Sequence, residues 1–522
     1  MKMRTLFNAL SISVILLLSG FGKDKIIIGH TYYIDAVAGN DNNQGQRANR
    51  AWKSFKNIES LKWSAGDQLL LKRGSRFKEV LEISAKGAKG KIIVIDAYGK
   101  GDKPQINAPD SSLYAVLLSN SSYLTIRNLE IVNTGTKPMA KRTGIKVESN
   151  NYGVSQDISL FALDIRDVNG SRVKEEGGGS GILIESKGDK VPSKFDNLKI
   201  EHCTIKRCER NAMIWSANWD RSNWFPSTNV QVRYNSIEEV PGDGIVPIGC
   251  DGAVIEYNKM SKSPATLPDT EAAAGIWPWS CDNTLIQFNE VSDHKAPWDA
   301  QGFDSDYNCT NTTIQYNYSH DNEGGFILIC NSGESDAKSN IGNIGTLVKY
   351  NVSIDDAVRT RKTRVGIFSP TIHIAGPVQK TMITRNILVV GVKPADSIDK
   401  SIITSDSWGG FADNTVFKEN VFFTPEVSSF RMMKSTQNSF EGNQYYGQFT
   451  GSPLDESGKF VSDANQFEKD YRESVSQVFS KKTIADGKAV ITYVDKAKIE
   501  AVFSAPVHSS TTFHNVKLVY LR

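Results

Sequence analysis

The sequence predicts an all-β chain, a right-handed parallel β-helix (solenoid) with an N-terminal cap and a small C-terminal cap or module. Three observations carry this. A four-residue unit ending in Asn recurs, with its asparagines at 235, 258, 289, 317, 351, 386 and 420. The resulting gaps of 23 to 35 residues are one rung each, with loops absorbing the variation. Ahead of the unit, Gly244-Ile245-Val246-Pro247-Ile248-Gly249-Cys250 aligns without a gap on Gly275-Ile276-Trp277-Pro278-Trp279-Ser280-Cys281. Short alternating strands separated by Gly, Asn and Asp turns fill the rest, and the regular Asn-Gly hairpin turns of an antiparallel sandwich are missing.

Taken from the N-terminus, Lys2 and Arg4 precede a short apolar run at 10–18, and small residues follow at 19–22. This reads as a signal peptide over 1–22, and so as a secreted or periplasmic protein. The run is short for a membrane span, and no cysteine near the cleavage region offers a lipid anchor. Residues 31–112 are expected to hold the cap and first rungs: a strand from 31, a helix over 52–61, and strands over 68–72, 80–84 and 91–97. Residues 113–450 are the β-helix. Residues 451–522 form a C-terminal cap or small module, helical near 465–480, with strands near 489–494 and 516–521. Composition is that of a soluble protein, 39% hydrophobic and 23% charged. A net charge of +3 without a basic stripe excludes nucleic acid as an expected partner.

The asparagines recur where the chain turns inward and are read as a structural ladder. The aligned Gly-Ile register assigns faces, because side chains alternate along a strand. Ile182, Ala212, Ile245, Ile276, Phe303 and Phe326 are apolar in every rung and are expected inside. Outside then lie Leu183 and Glu185, Met213 and Trp215, Val246 and Ile248, Trp277 and Trp279, Asp304 and Asp306, Ile327 and Ile329. Neighbouring rungs are about 4.8 Å apart and i,i+2 side chains about 6.6 Å, so Asp304 and Asp306 are expected one rung from the two tryptophans. Exposed indoles beside carboxylates suit a sugar, whose C–H faces stack on rings while its hydroxyls seek polar partners. The alternative is that the tryptophans pack beneath a loop such as 219–225. For the aspartates the alternative is a solvated or calcium-binding patch. Cys250, Cys281, Cys309 and Cys330 fall at one position of four rungs, expected as a buried thiol column, although adjacent pairs could oxidise after export.

Two carboxylates on one outward strand repel, which raises one pKa and leaves the other ionised, the asymmetry that acid/base cleavage of a glycosidic bond requires. The expected catalytic residues are Asp304, Asp306 and Glu323. The expected sugar-binding residues are Trp215, Trp277, Trp279, His294, Trp298, Arg359 and Arg361, with the loop 294–299 walling the cleft. His294 and His320 also read as plain loop histidines, and the basic cluster 359–364 as a solvated turn.

The cap, the rungs and the run Gly-Phe-Asp-Ser-Asp through His-Asp-Asn-Glu-Gly-Gly-Phe (302–326) resemble secreted, carbohydrate-active parallel β-helix proteins of the pectin-lyase-like superfamily, over about 31–450. That resemblance implies sites on an outward strip of one sheet, in glycoside hydrolases, polysaccharide lyases and binding proteins alike. Polygalacturonase motifs do not match: Asn-Thr-Asp and Gly-His-Gly are missing, and Asp355-Asp356 falls off the strip. The expected function is a secreted glycoside hydrolase acting on a polysaccharide or its oligosaccharides, as a monomer, without cofactor or resident metal. The alternatives are a Ca²⁺-dependent polysaccharide lyase using a base from 359–364, and a non-catalytic glycan-binding protein.

Overall fold

The computed structural model describes residues 29–362, 366–451 and 453–504. The signal peptide expected over 1–22, the strand expected at 516–521 and Arg364 of the basic cluster lie outside the described residues. Short strands pair in parallel with the strand one coil further on, so the chain winds as a right-handed parallel β-helix with three faces. Among the described residues no helix is long and apolar enough to cross a membrane.

The first sheet runs from Thr31–Ile34 and Gln68–Lys72 to Asp413–Lys418 and Ser439–Glu441, and the Asn-ending units form its central strands. At each corner the residue before the asparagine is left-handed: Tyr234, Tyr257, Phe288, Tyr316 and Tyr350 all have φ of 55–58°. This bend carries the chain into the second sheet, which includes Lys259–Ser261, Glu290–Ser292, Tyr318–His320 and Val352–Asp356. The asparagines at the corner are fully buried and bond to one another. Asn289 Oδ1 accepts the backbone N–H of Asn258 at 2.9 Å and its amide at 3.1 Å, while Asn289 Nδ2 donates to the Ile255 carbonyl at 3.0 Å. The same pattern repeats to Asn443, whose side chain donates to Asp455 at 2.9 Å. Each buried amide is thereby paired, which a corner inside a solenoid demands.

Outside that corner the preceding aromatics stack, Tyr234 on Tyr257 at 5.2 Å, Tyr257 on Phe288 at 4.9 Å and Phe288 on Tyr316 at 5.2 Å. The chain after the last rung folds back over them. Residues 464–477 are helical, Phe479–Ile484 and Ala489–Val494 form an antiparallel hairpin, and Lys496–Ser504 is a helix. Tyr493 of the hairpin meets Tyr257 and Phe288 edge-on.

At the other end, the helix expected over 52–61 is not formed. Trp52 bridges to Ile34, and the N–H groups of Ile58 and Leu61 bond three residues back, to Phe55 and Ile58. Apolar residues at 52, 55, 58 and 61 have the period of tight three-residue turns, and Trp52, Phe55 and Ile58 are buried over the first rungs.

The third sheet carries the predicted strip and is interrupted. One block runs from Leu81–Ile83 to Ile245–Val246 and another from Gln301–Ser305 to Phe449–Thr450. Between them the rung at 276–279 is held by single bridges, Ile245 to Ile276, Ile276 to Phe303 and Ile248 to Trp279. Pro247 and Pro278 lack the N–H that a continuous ladder needs. The carboxylates emerge on the first strand after this break.

Candidate active site

The inner column of the third sheet runs Ile145, Ile182, Met213, Ile245, Ile276, Phe303, Ile327, Ile372. Two rungs are therefore shifted by one residue from the sequence register, since Met213 and Ile327 stand where Ala212 and Phe326 were expected. A slip of one exchanges the faces of a strand. Trp215 consequently points into the core, 2% exposed, and is not a sugar-binding residue. Ile327 and Ile329 turn inward, while Leu328 and Cys330 turn outward. Ala212-Met213 and Phe326-Ile327 are pairs of buried apolar residues, so apolarity alone leaves the phase open.

Asp304 and Asp306 stand on the outer face, in the rung after Trp277 and Trp279. The Asp304 N–H donates to the Ile276 carbonyl at 3.1 Å, and that of Asp306 to Pro278 at 3.3 Å. Asp304 is only 3% exposed, and its Oδ1 has no hydrogen-bond partner. Asp306 is half-buried and well held: Oδ1 accepts from the Tyr307 N–H at 2.6 Å and from the Cys330 thiol at 3.1 Å.

A third carboxylate joins them. Asp299 ends the two-residue strand Trp298–Asp299, which pairs with Ala272–Ala273 outside the three main sheets. Asp299 and Ala300 are left-handed (φ 59° and 63°) and turn the chain sharply into Gln301–Ser305. Burial and the nearby Asp306 carboxylate push the half-buried Asp299 up to about 6, against pulls downward from His373, Arg359 and Lys174. Burial, then Asp306, Asp299 and Asp243, hold Asp304 well above the usual carboxylate range. Burial raises Asp306 also, opposed by its bonds from Cys330 and Tyr307 and by Lys174. The Tyr307 phenol is raised by burial and by Cys330 and all three aspartates, which places it at the same cluster.

The tryptophans are walls more than open platforms. Trp277 is 6% exposed, and its Nε1 donates to Asp243 Oδ1 at 3.0 Å. Asp243 is paired with the fully buried Arg210, whose Nε reaches Glu271 at 3.1 Å. Glu271 in turn accepts the Lys174 N–H at 3.0 Å, and Lys174 Nζ lies 5.6 Å from the centre of the Trp277 ring. Trp279 is half-buried and stacks on Trp219 at 5.5 Å and 14°, so the 219–225 loop does cover it in part.

Several expected ligands are committed to structure. His294 is fully buried, its Nε2 is 3.0 Å from the Gly242 carbonyl, and burial lowers it to about 4, so it is a neutral core histidine. Arg359, 1% exposed, donates to the carbonyls of Ala296 (2.8 Å), Pro297 and Asp299 (2.7 Å), and clamps the loop that delivers Asp299. Arg361 is tied to the Leu267 carbonyl and to Asp269. Trp298 donates through Nε1 to the Asp269 carbonyl at 2.9 Å. Glu323 is raised by burial and lowered by Arg359, Lys295 and Arg361, so its charged neighbours are the clamp and not the aspartates. His320 lies on the second sheet against Asp321 and Glu290. Of the expected thiol column, Cys250, Cys281 and Cys309 are buried in the interior, and the Cys250 N–H lies 3.3 Å from Cys281 Sγ. Cys330 leaves the column for the outer face, and all six thiols are unpaired.

Sequence reasoning missed Tyr307, Cys330 and Lys174, and it treated Asp299 only as part of a wall. His373, in register with Leu328 two rungs from Asp304, also sits on the strip, bonded to Asp406 at 3.1 Å and edge-on to Trp408.

No family model matches the chain. A lacto-N-biosidase of Bifidobacterium longum subsp. longum is 27% identical over 580 aligned positions, covering 92% of this chain. The chain spans about a third of that relative's length, 33%. The crystal structure of a GH136 lacto-N-biosidase from Eubacterium ramulus superposes with a TM-score of 0.56 at 27% identity, over 71% of this chain and 66% of that one. Its selenomethionine form gives the same TM-score at 26% identity. By its own strands the chain is a parallel β-helix, and over most of its length it is similar to lacto-N-biosidases.

Proposed function

We propose that the chain is a glycoside hydrolase acting on oligosaccharides, with Asp299 and Asp306 as its working carboxylates. The observation that carries this reading is three carboxyl groups of unequal environment at one point of the strip. Asp299, near 6, is protonated in mild acid and can give its proton to a leaving oxygen. Asp306 is oriented by two donors and partly open, as a nucleophile or base must be. Asp304 is too enclosed to meet a sugar directly; with its charged form disfavoured by burial and by the neighbouring aspartates, it lies beneath as a positioning group. The relatives' name makes lacto-N-biose-containing glycans the first substrates to assay, and export the expected setting.

The lyase alternative is disfavoured, because the described members of the 359–364 cluster are engaged: Arg359 on three carbonyls, Arg361 on the Leu267 carbonyl and Asp269, and Lys362 on Asp396. A cluster containing a thiol also suits Ca²⁺ poorly. For the hydrolase, Asp299→Asn and Asp306→Asn are each expected to lower kcat by about 10²–10⁴-fold. With an aryl glycoside whose leaving group needs no proton, the Asp299→Asn loss should shrink while the Asp306→Asn loss persists. Full activity in either variant on the natural-type substrate overturns the assignment.

A further inference from the structure

Asp304, Asp306 and Cys330 offer two carboxylate oxygens and a sulfur that all lie within 4.8 Å of one another. Asp304 lies on the strand Gln301–Ser305, Asp306 directly follows it, and Cys330 ends the strand of the next rung, with its Sγ 3.1 Å from Asp306 Oδ1. The other thiols are set differently. Cys203, Cys208, Cys250, Cys281 and Cys309 are fully buried in the main core and lie against backbone carbonyls. Independently of the cluster's composition, Asp304 Oδ1 is a buried acceptor without a donor, on a side chain that is 3% exposed and directed into this group. Such an atom is costly unless something occupies its lone pairs.

We propose that Asp304, Asp306 and Cys330 form a zinc-binding site through which Zn²⁺ inhibits the enzyme. The donor set selects the ion. A thiolate favours zinc or cadmium over the oxygen-seeking Ca²⁺ and Mg²⁺, and three protein ligands leave the fourth tetrahedral position for water. Bonds of about 2.0 Å to oxygen and 2.3 Å to sulfur place tetrahedral ligands roughly 3.3–3.6 Å apart, so the cluster needs only a small inward adjustment. The anionic form of each of the three groups is disfavoured by burial, and Asp304 and Cys330 are raised further by neighbouring aspartates, a penalty that a dication reverses. On binding, the thiol proton and that of Asp304 pass to solvent as metal bonds replace them, with no change of oxidation state. The ion enters past Asp306, the half-buried member. Inhibition rests on the hydrolase reading, because the ion takes the Asp306 carboxylate; binding does not.

The test uses the full chain freed of metal. Cd²⁺ is titrated while the ultraviolet thiolate-to-cadmium charge-transfer band is followed, and Zn²⁺ is titrated by calorimetry. One equivalent should bind and produce the band. Cys330→Ser, which keeps the other five thiols, should abolish the band and weaken Zn²⁺ binding at least about tenfold. Asp304→Asn should weaken it similarly, with thermal melts confirming that both variants fold. Absence of the band in the wild type, or unchanged Zn²⁺ affinity in folded Cys330→Ser, overturns the site. Hydrolysis that Zn²⁺ does not inhibit, in a protein that binds it at Cys330, overturns the inhibition. Binding that passes in a protein with no hydrolase activity overturns the hydrolase reading and leaves the site standing.

Discussion

At the scale of single residues, the division of labour among three aspartates follows from burial and not from spacing. Asp304 and Asp306 are equivalent in the sequence, two positions apart on one face. In the fold, one is enclosed with an unpartnered oxygen, and the other is partly open and held by Tyr307 and Cys330. Because burial and the neighbouring aspartates disfavour the charged form of Asp304, an amide is a near replacement for it. Asp304→Asn is therefore expected to reduce kcat by less than about tenfold, against about 10³-fold for Asp306→Asn, in steady-state assays of the two purified variants. An equal loss in both would return Asp304 to the reacting pair. The strip itself was legible, since Trp277, Trp279, Asp304 and Asp306 share the predicted outer face. Asp299 was not, because it reaches the cluster from a two-residue strand outside the main sheets, through two left-handed residues that no periodicity announces.

At the scale of elements, the asparagine ladder was readable because one side chain is needed at every corner, whereas the phase of the third sheet was not. Paired apolar residues at 212–213 and 326–327 satisfy either register, and the loops decide between them. The ladder's worth can be measured. Asn289→Ala leaves the Asn258 N–H and the Ile255 carbonyl without their side-chain partners in a dry corner. At about 1–3 kcal/mol for each of the two orphaned groups, it should lower unfolding free energy by roughly 2–6 kcal/mol in urea titrations. A second, shorter ladder sits at the corner between the second and third sheets. There Asp356 Oδ1 accepts from the N–H and the amide of Asn322 at 3.0 and 2.9 Å, and Ser353 donates to Oδ2 at 2.7 Å. Burial pushes this carboxyl up to about 7. A carboxyl raised above its unfolded value binds its proton more tightly when folded, so its contribution falls as pH rises from about 4 to about 7. Asp356→Asn keeps the Oδ1 acceptor and carries no charge. The wild type should lose on the order of 2 kcal/mol more than this variant between pH 5 and pH 8. Parallel pH profiles of the urea midpoint would expose the error if the two slopes agree.

At the scale of the whole molecule, the chain after residue 462 is a brace laid along the coil. A solenoid is stabilised mainly between neighbouring rungs, so an element that touches several rungs couples them. Tyr493 meets the rings of two consecutive rungs, Tyr257 and Phe288, and Lys482 lies 4.3 Å and 4.4 Å over Tyr234 and Tyr257. Glu500 accepts from the Tyr316 hydroxyl at 2.6 Å, and Glu290 accepts the Thr492 N–H while paired with Lys259 at 2.8 Å. The brace thus spans the corners at 234, 257, 288 and 316, which belong to the rungs that present Trp277, Trp279 and Asp304 on the opposite side. Removing residues 463–522 would expose the stacked aromatic column, take the Thr492 N–H away from Glu290 and uncouple those rungs. The truncated chain is expected to melt several degrees lower and with a broader transition. Hydrogen exchange should rise first in the strands 254–256, 285–287 and 313–315, not in the terminal rungs. A sharp, unshifted melt would mean that the rungs hold their register without the brace, and that the site on the third sheet owes it nothing.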